Sequence, residues 1–155
     1  MFKGTSASAG IGIGKAVIVE EAELVITRNE VADAEAEIQR FKGALEKTIA
    51  ATQKMADDLA SRVGEKEAEI MQGHMMLLSD PMLTGEIENS VKNDKVNCEF
   101  AIENVCNMYA DMFASMGDEL MQQRATDMRD IKVRMQRTLM GLESVDVSLL
   151  PKGSI

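Results

Sequence analysis

The sequence predicts a mainly α-helical protein built as an antiparallel four-helix bundle with a kinked second helix. Three observations support this prediction. Good helix formers dominate after position 27, and aromatic residues that favour strands are scarce, with four Phe, one Tyr and no Trp in the chain. Apolar residues recur at steps of three and four from about residue 31. Short polar or Gly-containing segments separate these runs, and short connections make neighbouring helices antiparallel.

The first predicted helix is long and amphipathic. Its apolar line comprises Ile38, Phe41, Leu45, Ile49, Thr52, Met55, Leu59 and Val63. Polar and charged residues fill the positions between them. Gly64 follows the last apolar position, and glycine commonly ends helices because it adopts the left-handed conformation at no steric cost. We therefore expect helix 1 to end at Gly64.

The second predicted helix is a kinked pair. Its first arm runs from about Glu65 to Leu78 and is interrupted at Pro81, which cannot continue the helical hydrogen bonding. Pro81 suits the first position of a new helix that is capped by Ser79 or Asp80. The second arm is expected to bury an apolar line made of Leu83, Ile87 and Val91.

Two further helices complete the predicted bundle. Helix 3 begins near Asn97 and ends at Gly117. Helix 4 is capped by Asp118 and ends before Gly141. Their apolar lines contain several of the 13 methionines of the chain, and these lines supply the remaining faces of the core.

The two ends of the chain differ in composition from the helical part. Residues 13–19 and 24–26 are β-prone, and a Gly-rich segment precedes them. They predict one or two short β segments, too few for a stable sheet on their own. Residues 145–155 return to a strand-like composition. We therefore expect the chain to be cut from a longer protein, with a complete helical part and an incomplete strand-rich part.

The charge balance limits the classes of partner. Seventeen Lys and Arg against 26 Asp and Glu give a formal charge of −9, and such a surface repels nucleic acids and attracts basic proteins. No apolar run approaches the roughly 20 residues that span a bilayer, and no signal-peptide pattern is present. We expect no membrane segment and a cytoplasmic location.

Cys98 and Cys106 fall on one predicted helix. Eight residues of helix separate them by about 12 Å along the axis, which is too far for a disulfide. We expect both to be buried free thiols, as is usual for cytosolic proteins.

The sequence shows no convincing catalytic or metal-binding constellation. The Gly10–Lys15 segment is not a P-loop, because Ala9 and Ala16 replace the required Gly and Ser or Thr. His74 is the sole histidine and has no identifiable orienting partner, so neither general-base catalysis nor a metal-dependent bundle enzyme is supported. We expect no cofactor and no metal in this chain. His74 stands at the spacing of a packed helix residue, and a role at a docking surface is the alternative.

Methionine and acidic residues mark the second helix as a candidate binding surface. Met75 and Met76 are adjacent and point in different directions, so they exceed what one core line needs. Flexible thioether side chains suit an adaptable surface. Between residues 63 and 91, six acids stand against one base, Lys66. The simpler interpretations are that the methionines pack in the core and that the acidic residues form a solvated face. An acidic rim around exposed Met and Leu would instead bind a small basic protein.

Three motifs stand on the predicted β segment, on helix 2 and on helix 4. They are Ala7-Ser-Ala-Gly-Ile-Gly-Ile-Gly-Lys-Ala16, Gly73-His-Met-Met-Leu-Leu-Ser-Asp-Pro81 and Arg124-Ala-Thr-Asp-Met-Arg-Asp-Ile131. In this order and separation they resemble the N-terminal part of Enzyme I of the bacterial sugar phosphotransferase system, the phosphoenolpyruvate-protein phosphotransferase family. The resemblance covers essentially the whole chain.

The resemblance implies a transferase activity for the full-length protein. Enzyme I takes a phosphoryl group from phosphoenolpyruvate onto an active-site histidine and passes it to a histidine of the carrier HPr. Mg²⁺ and phosphoenolpyruvate bind the family's C-terminal barrel, and the family forms homodimers through that domain. The family's Gly-Gly-x-x-Ser-His motif has no counterpart here, and His74 is not that histidine. We therefore expect this chain alone to be catalytically inactive and monomeric.

The resemblance also implies how the chain is divided. Residues 1–29 would be the first β segment of an α/β subdomain, residues 30–143 the helical HPr-binding subdomain, and residues 144–155 the start of the truncated return into the α/β subdomain. The implied function is docking of HPr for phosphoryl transfer. The alternative is a non-enzymatic regulatory helical bundle that binds an unrelated helical partner. The sugar that is transported does not follow from this sequence.

The HPr surface of the family is formed by the helix 2 pair together with helices 3 and 4. Carried onto matching positions, it comprises Glu65, Glu69, Met76, Leu77, Asp80, Leu83, Phe113, Met116, Met121, Arg124 and Arg129. Leu83 is expected in an exposed apolar rim, so that Leu83→Asp would abolish HPr binding without unfolding the bundle. Carboxylates can occur in the family at three positions that here carry Gln72, Pro81 and Met82. We therefore expect apolar contacts to contribute more to docking, and charges less, than in the family.

Overall fold

Five α-helices make up the part of the chain that the computed structural model describes. This part is Lys15 and residues 23–142, without the side chains at positions 66 and 67. The helices are α1 (Ala34–Arg62), α2 (Glu65–Leu78), α3 (Pro81–Asp94), α4 (Cys98–Ser115) and α5 (Glu119–Leu139). α2 and α3 are the two arms of the predicted second helix, and α4 and α5 are the predicted third and fourth helices. The predicted mainly α fold with a kinked second helix is confirmed.

Aspartates start the helices at the two positions where the sequence predicts caps. The Asp80 carboxylate accepts a hydrogen bond from the Met82 N–H at 2.8 Å, and Pro81 occupies the first turn of α3. Asp118 caps α5 in the same way and accepts from the Leu120 N–H at 2.8 Å. Of the two candidates for the cap of α3, the structure therefore selects Asp80. Each cap satisfies an N–H group that the helix itself leaves unpaired.

Glycines with positive φ reverse the chain at two of the loops. Gly64 has φ 146° between α1 and α2, and Gly117 has φ 71° between α4 and α5. Side chains larger than hydrogen rarely adopt these values, so glycine permits turns of only two or three residues. Both predicted helix ends are confirmed.

Hydrogen bonds between α4 and α5 show that the two helices are antiparallel. Lys132 Nζ donates to Glu103 Oε1 at 2.9 Å, and Gln136 Nε2 donates to the carbonyl of Glu99 at 3.1 Å. Residue numbers therefore rise along one helix as they fall along the other. The first turn of α5 lies beside the last turn of α4 in consequence.

The core contains side chains from all five helices. Its largest fully buried members include Phe41, Leu78, Ile87, Ile102, Met128, Ile131 and Met135. Leu83, Ile87 and Val91 of α3 are all buried, as the spacing of this arm predicts. Burial of these apolar groups supplies the main stabilisation of the bundle, at roughly 25 cal/mol per Å² removed from water.

The predicted apolar line of helix 1 is only partly right. Met55 and Val63 are 44% and 63% exposed, whereas the smaller Ala44, Thr48 and Ala56 are buried. Small side chains allow close helix packing, so the buried face of α1 follows side-chain size as well as polarity. The Thr48 hydroxyl donates to the Ala44 carbonyl at 2.8 Å, which satisfies this polar group within α1.

The segment before α1 pairs with the segment between α3 and α4. The Val31 N–H donates to the Lys95 carbonyl at 2.8 Å, and the Asn97 N–H donates to the Asn29 carbonyl at 3.0 Å. Residues 24–26 are irregular, so the prediction of a β segment there is wrong: the hydrogen-bonded pairing falls at 29–31 instead. Apart from Lys15, the predictions for 13–19, for the Gly-rich segment and for 145–155 lie outside the described residues. The division into subdomains therefore stays a prediction.

The two cysteines are buried free thiols, as predicted. Cys98 Sγ donates to the Glu37 carbonyl at 3.1 Å, and burial raises the pKa of Cys98. Burial also raises the pKa of Cys106, to about 12. A separate observation concerns membranes: none of the helices α1–α5 combines the length and apolar character needed to cross one.

Candidate docking surface

The α2–α3 bend and the α4–α5 turn lie at the same end of the bundle. A Cβ atom built on Gly73 near the end of α2 would lie 3.0 Å from Arg124 Nη1 near the start of α5. The pKa of Tyr109 in α4 is raised by desolvation and then by the negative charges of Glu86 and Asp80 in and before α3. The end of α2, the start of α3, the second half of α4 and the start of α5 therefore form one continuous region.

Apolar side chains cover this region. The most exposed are Met76 and Met82, each at 69%, with Leu120 at 59% and Met116 at 56%. Half-buried neighbours fill the space between them and the core. We call this set the apolar patch; it comprises Met76, Leu77, Met82, Tyr109, Phe113, Met116, Leu120 and Met121. Exposed apolar groups gathered in one place are characteristic of interaction sites.

Acidic residues continue the apolar patch along α2. Glu65, Glu69, Gln72 and Met76 are spaced four, three and four residues apart, which places them on one face of the helix, and all four are exposed. The face from Glu65 to Met76 is about 16 Å long at 1.5 Å per residue. Asp80 is also exposed at the bend that follows. We call Glu65, Glu69 and Asp80 the acidic stripe.

The opposite face of α2 is buried. Ala68, His74 and Leu78 are 5%, 2% and 0% exposed. This burial fixes the rotation of α2, so that the face carrying Glu65, Glu69 and Met76 points away from the bundle. The packed position expected for His74 is confirmed, and His74 itself contributes no exposed surface.

His74 is buried against α5. Its Nε2 lies 3.4 Å from Asp127 Oδ1, but neither ring nitrogen has a hydrogen-bond partner among the described residues. The pKa of His74 is lowered mainly by burial and further by the positive charge of Arg134. The negative charges of Asp127 and Asp130 act in the opposite direction and raise it. The fold therefore favours the neutral imidazole over the imidazolium.

Arg124 lies at the edge of the apolar patch. It forms an intrahelical ion pair with Asp127, with 3.7 Å between Arg124 Nη1 and Asp127 Oδ2. The Arg124 side chain keeps 30% of its surface exposed, whereas that of Asp127 keeps 8%. Arg124 thus presents a positive charge beside a patch that is otherwise apolar and acidic.

The expectation that Leu83 lies in an exposed apolar rim is wrong. Leu83 is 2% exposed because it belongs to the buried line of α3. Its neighbour Met82 is 69% exposed. Leu83 supports the surface from beneath and does not belong to it.

The other candidate residues are accessible to different degrees. Exposed positions are Glu65, Glu69, Met76, Asp80, Met116 and Arg129, and half-buried positions are Leu77, Phe113, Met121 and Arg124. Arg129 Nη2 lies 4.0 Å from Asp111 Oδ1, so it faces α4. Whether these residues bind a partner stays a prediction at this point.

Sequence reasoning missed three residues of this region. Tyr109 lies four residues before Phe113, and their ring centroids are 6.3 Å apart, so helical spacing could have identified it. Leu120 follows the cap of α5 and lies on its exposed face, outside the apolar spacing that marks the buried side of the helix. Asp127 was not among the candidate residues, because its contact with His74 crosses between helices and no spacing within one helix reports it.

The surface offers groups for recognition: flexible thioethers, two aromatic rings, carboxylates and a guanidinium. Within residues 23–142, no three His, Cys, Asp or Glu side chains lie close enough together to hold a metal ion. Apolar contact and charge complementarity are therefore the interactions from which a function of this surface can be argued.

Comparison with known proteins identifies relatives. The family described as PEP-utilising enzyme, N-terminal, matches residues 3–124. Phosphoenolpyruvate-protein phosphotransferases of Listeria monocytogenes and Bacillus subtilis are 38% and 36% identical to this chain over 149 residues, which is 96% of this chain. The match covers 26% of each of these proteins, so the chain spans about a quarter of their length.

Solved structures agree with this assignment. The solution structure described as Enzyme I (nEIt) superposes with a TM-score of 0.92 at 34% identity, covering 100% of this chain and 63% of that chain. The N-terminal domain of Enzyme 1 - Nitrogen has a TM-score of 0.70 at 25% identity, covering 78% of this chain and 50% of that one. The chain therefore belongs to the family of PEP-utilising enzymes, as an N-terminal region similar to that of Enzyme I.

Proposed function

We propose that this chain is the HPr-docking region of a phosphoenolpyruvate-protein phosphotransferase in the cytoplasm. In the full-length enzyme, a phosphoryl group from phosphoenolpyruvate would reach an active-site histidine, and the helical bundle would hold HPr while that histidine passes the group on. The observation that carries the proposal is the apolar patch beside the acidic stripe at one end of the bundle. Its location agrees with the region that the resemblance to Enzyme I implies.

The apolar patch supplies the contact area. Met76, Met82 and Met116 hold more than half of their surface in solvent, so a partner that covers them removes apolar area from water. Thioether side chains adjust their rotamers to an incoming surface. The half-buried Leu77 and Phe113 give this contact a firm base, because they pack on the core.

The acidic stripe selects a basic partner. Glu65, Glu69 and Asp80 carry like charges along one side of the apolar patch, and the chain as a whole carries a formal charge of −9. Charges at the rim of an interface mainly raise the association rate and exclude partners of the wrong sign. The neutral Gln72 and Met82 lie within this region, so apolar contact contributes the larger share of affinity.

The surface is held in place before a partner arrives. Asp80 and Asp118 cap the two helices that start at this end, and Gln122 Nε2 donates to the Ala114 carbonyl across the α4–α5 turn at 2.8 Å. A preorganised surface loses little conformational entropy on binding. We infer that HPr docks without rearrangement of the bundle.

Phosphoryl chemistry is not assigned to the described residues. His74 is 2% exposed and faces Asp127, and the described residues hold no cluster that fits the Mg²⁺ implied for the full-length enzyme. We propose that the chain alone is a monomer that does not accept a phosphoryl group. Incubation with phosphoenolpyruvate and Mg²⁺ should leave it unmodified, and an acid-labile phosphohistidine in its mass spectrum would contradict this.

A matched pair of substitutions tests the docking proposal. Met116 and Met140 both cap the C-terminus of a helix in a right-handed conformation, and both precede a glycine of positive φ. They lie at opposite ends of the α4–α5 hairpin, which α5 makes about 30 Å long. Met116→Glu should weaken HPr binding by at least about tenfold in calorimetry, because it places a charge in the apolar patch. Met140→Glu should leave the Kd unchanged.

Two results would contradict the proposal. Equal losses in both variants would mean that the apolar patch has no special role. Failure of the unmodified chain to bind HPr, together with binding of an unrelated amphipathic helix, would favour a regulatory bundle instead.

A further inference from the structure

Gly73 leaves a notch in α2 that Arg124 occupies. A Cβ atom at Gly73 would lie 3.0 Å from Arg124 Nη1 and 3.7 Å from Asp127 Oδ2, so an alanine there would force the guanidinium to shift by a few tenths of an ångström. Gly43 in α1 and Gly85 in α3 are also helical, but a Cβ on either would meet nothing within 4 Å. Glycine inside a helix is destabilising relative to alanine. At position 73 the Arg124 guanidinium fills the space that the missing side chain leaves.

Asp127 lies beside the same guanidinium nitrogen. Its Oδ2 lies 3.7 Å from Arg124 Nη1, and its Oδ1 accepts a hydrogen bond from Gln123 Nε2 at 3.0 Å. His74 Nε2 lies 3.4 Å from the same Oδ1. The Asp127 side chain is 8% exposed, so its carboxylate has little room to move.

The rest of the Arg124 guanidinium is available. Its contacts with described residues use Nη1, and the side chain is 30% exposed at the edge of the apolar patch. The Arg guanidinium is a rigid plane with five N–H donors. Contacts that restrain Nη1 therefore also fix the directions in which the remaining N–H groups point.

We propose that Gly73 and Asp127 position Arg124 so that its free N–H groups bind an acceptor oxygen on HPr, a carboxylate or a carbonyl at the rim of the contact. This inference rests on the proposed docking function and adds a division of roles within it. Arg124 touches the partner, whereas Gly73 and Asp127 affect the contact with HPr only through Arg124. The arrangement gives an acidic surface one fixed donor, which sets the orientation of a basic partner.

A double-mutant cycle separates positioning from general support of the fold. Arg124→Ala and Asp127→Asn should each weaken HPr binding by about tenfold. Because Asp127 acts through Arg124, adding Asp127→Asn to Arg124→Ala should cause no further loss. A purely structural role of Asp127 would instead lower the affinity by the same factor in both backgrounds.

Gly73→Ala gives a second test that does not depend on Asp127. With Arg124 present, it should weaken HPr binding several-fold, because the methyl group shifts the guanidinium, and this crowding should cancel part of the stability that alanine gains inside a helix. With Arg124→Ala the notch is empty, and Gly73→Ala should raise Tm by about 3 °C, as expected for alanine in place of glycine inside a helix. Gly43→Ala is the control: it should raise Tm by a similar amount in both backgrounds and leave the Kd unchanged.

The outcomes distinguish the two levels of the proposal. If the unmodified chain does not bind HPr, the docking function fails and this inference fails with it. If the unmodified chain binds HPr but the cycle is additive, or Gly73→Ala changes Tm equally with and without Arg124, the positioning role is overturned and the docking function stands.

Discussion

His74 Nε2 and Asp127 Oδ1 lie 3.4 Å apart between α2 and α5, and both side chains are almost completely buried. The pair connects the helix that carries the acidic stripe to the helix that carries Arg124. Because the imidazole is buried without a hydrogen-bond partner among the described residues, we expect its protonation to weaken the packing of these two helices.

Stability should decrease as the pH falls below about 6.5. The folded state lowers the pKa of His74 from 6.5, mainly through burial, so the unfolded chain binds a proton that the folded chain resists. The unfolding free energy should therefore drop by up to about 1.4 kcal/mol per pH unit in this range. His74 is the only histidine, so urea unfolding of His74→Gln between pH 5 and pH 7 is the control and should show a shallower slope. Stability that rises on acidification would contradict the assignment.

Leu83→Asp should unfold or severely destabilise the bundle. The side chain is 2% exposed, and an aspartate there would bury a charge without a partner. A loss of about 3–5 kcal/mol is expected from urea unfolding. Met82→Asp is the matched control. The Met82 side chain is next to Leu83 in the sequence but is 69% exposed, and an acidic residue suits the first turn of a helix. Similar losses in both variants would show that Leu83 is not a core residue.

Cys98 and Cys106 should react slowly with thiol reagents while the protein is folded. Burial raises the pKa of both thiols, that of Cys106 to about 12, so little thiolate is present at pH 8. Addition of a chromogenic disulfide reagent should titrate both thiols rapidly in concentrated urea and neither in buffer. Rapid reaction of either cysteine in the native protein would show that it is accessible.

Asp80 should contribute separately to stability and to docking. Asn caps helices about as well as Asp, so Asp80→Asn should preserve stability but slow association with HPr at low salt. Asp80→Ala should cost about 1 kcal/mol of stability in addition, because it removes the acceptor for the Met82 N–H. Stopped-flow association and urea unfolding of both variants test this separation. An unchanged association rate for Asp80→Asn would remove Asp80 from the acidic stripe.

Helical periodicity predicts most of this fold because the apolar lines of α3 and α5 are regular and helix ends carry caps or glycines. In α4 the apolar spacing predicts burial only in the first half, since Met108, Met112 and Met116 continue the spacing but are exposed. It fails along α1, where exposed Met55 and Val63 continue the apolar spacing while small residues form the buried face. Spacing within α3 correctly predicts that Leu83 is buried. The HPr surface implied by the resemblance to Enzyme I placed the same residue at the surface. The Gly73 notch and the contact between His74 and Asp127 join different helices, and no spacing within one helix reports such contacts.

The most direct test of the docking surface uses the methionines themselves. Methyl labelling of methionine provides probes at 13 positions, which include exposed sites inside the apolar patch, an exposed site at the opposite end and buried sites in the core. Titration with HPr should shift the methyl signals of Met76, Met82 and Met116. The signals of Met140 and of the buried Met128 should stay in place. Shifts confined to Met140, or no shift at any methionine, would contradict docking of HPr at this surface.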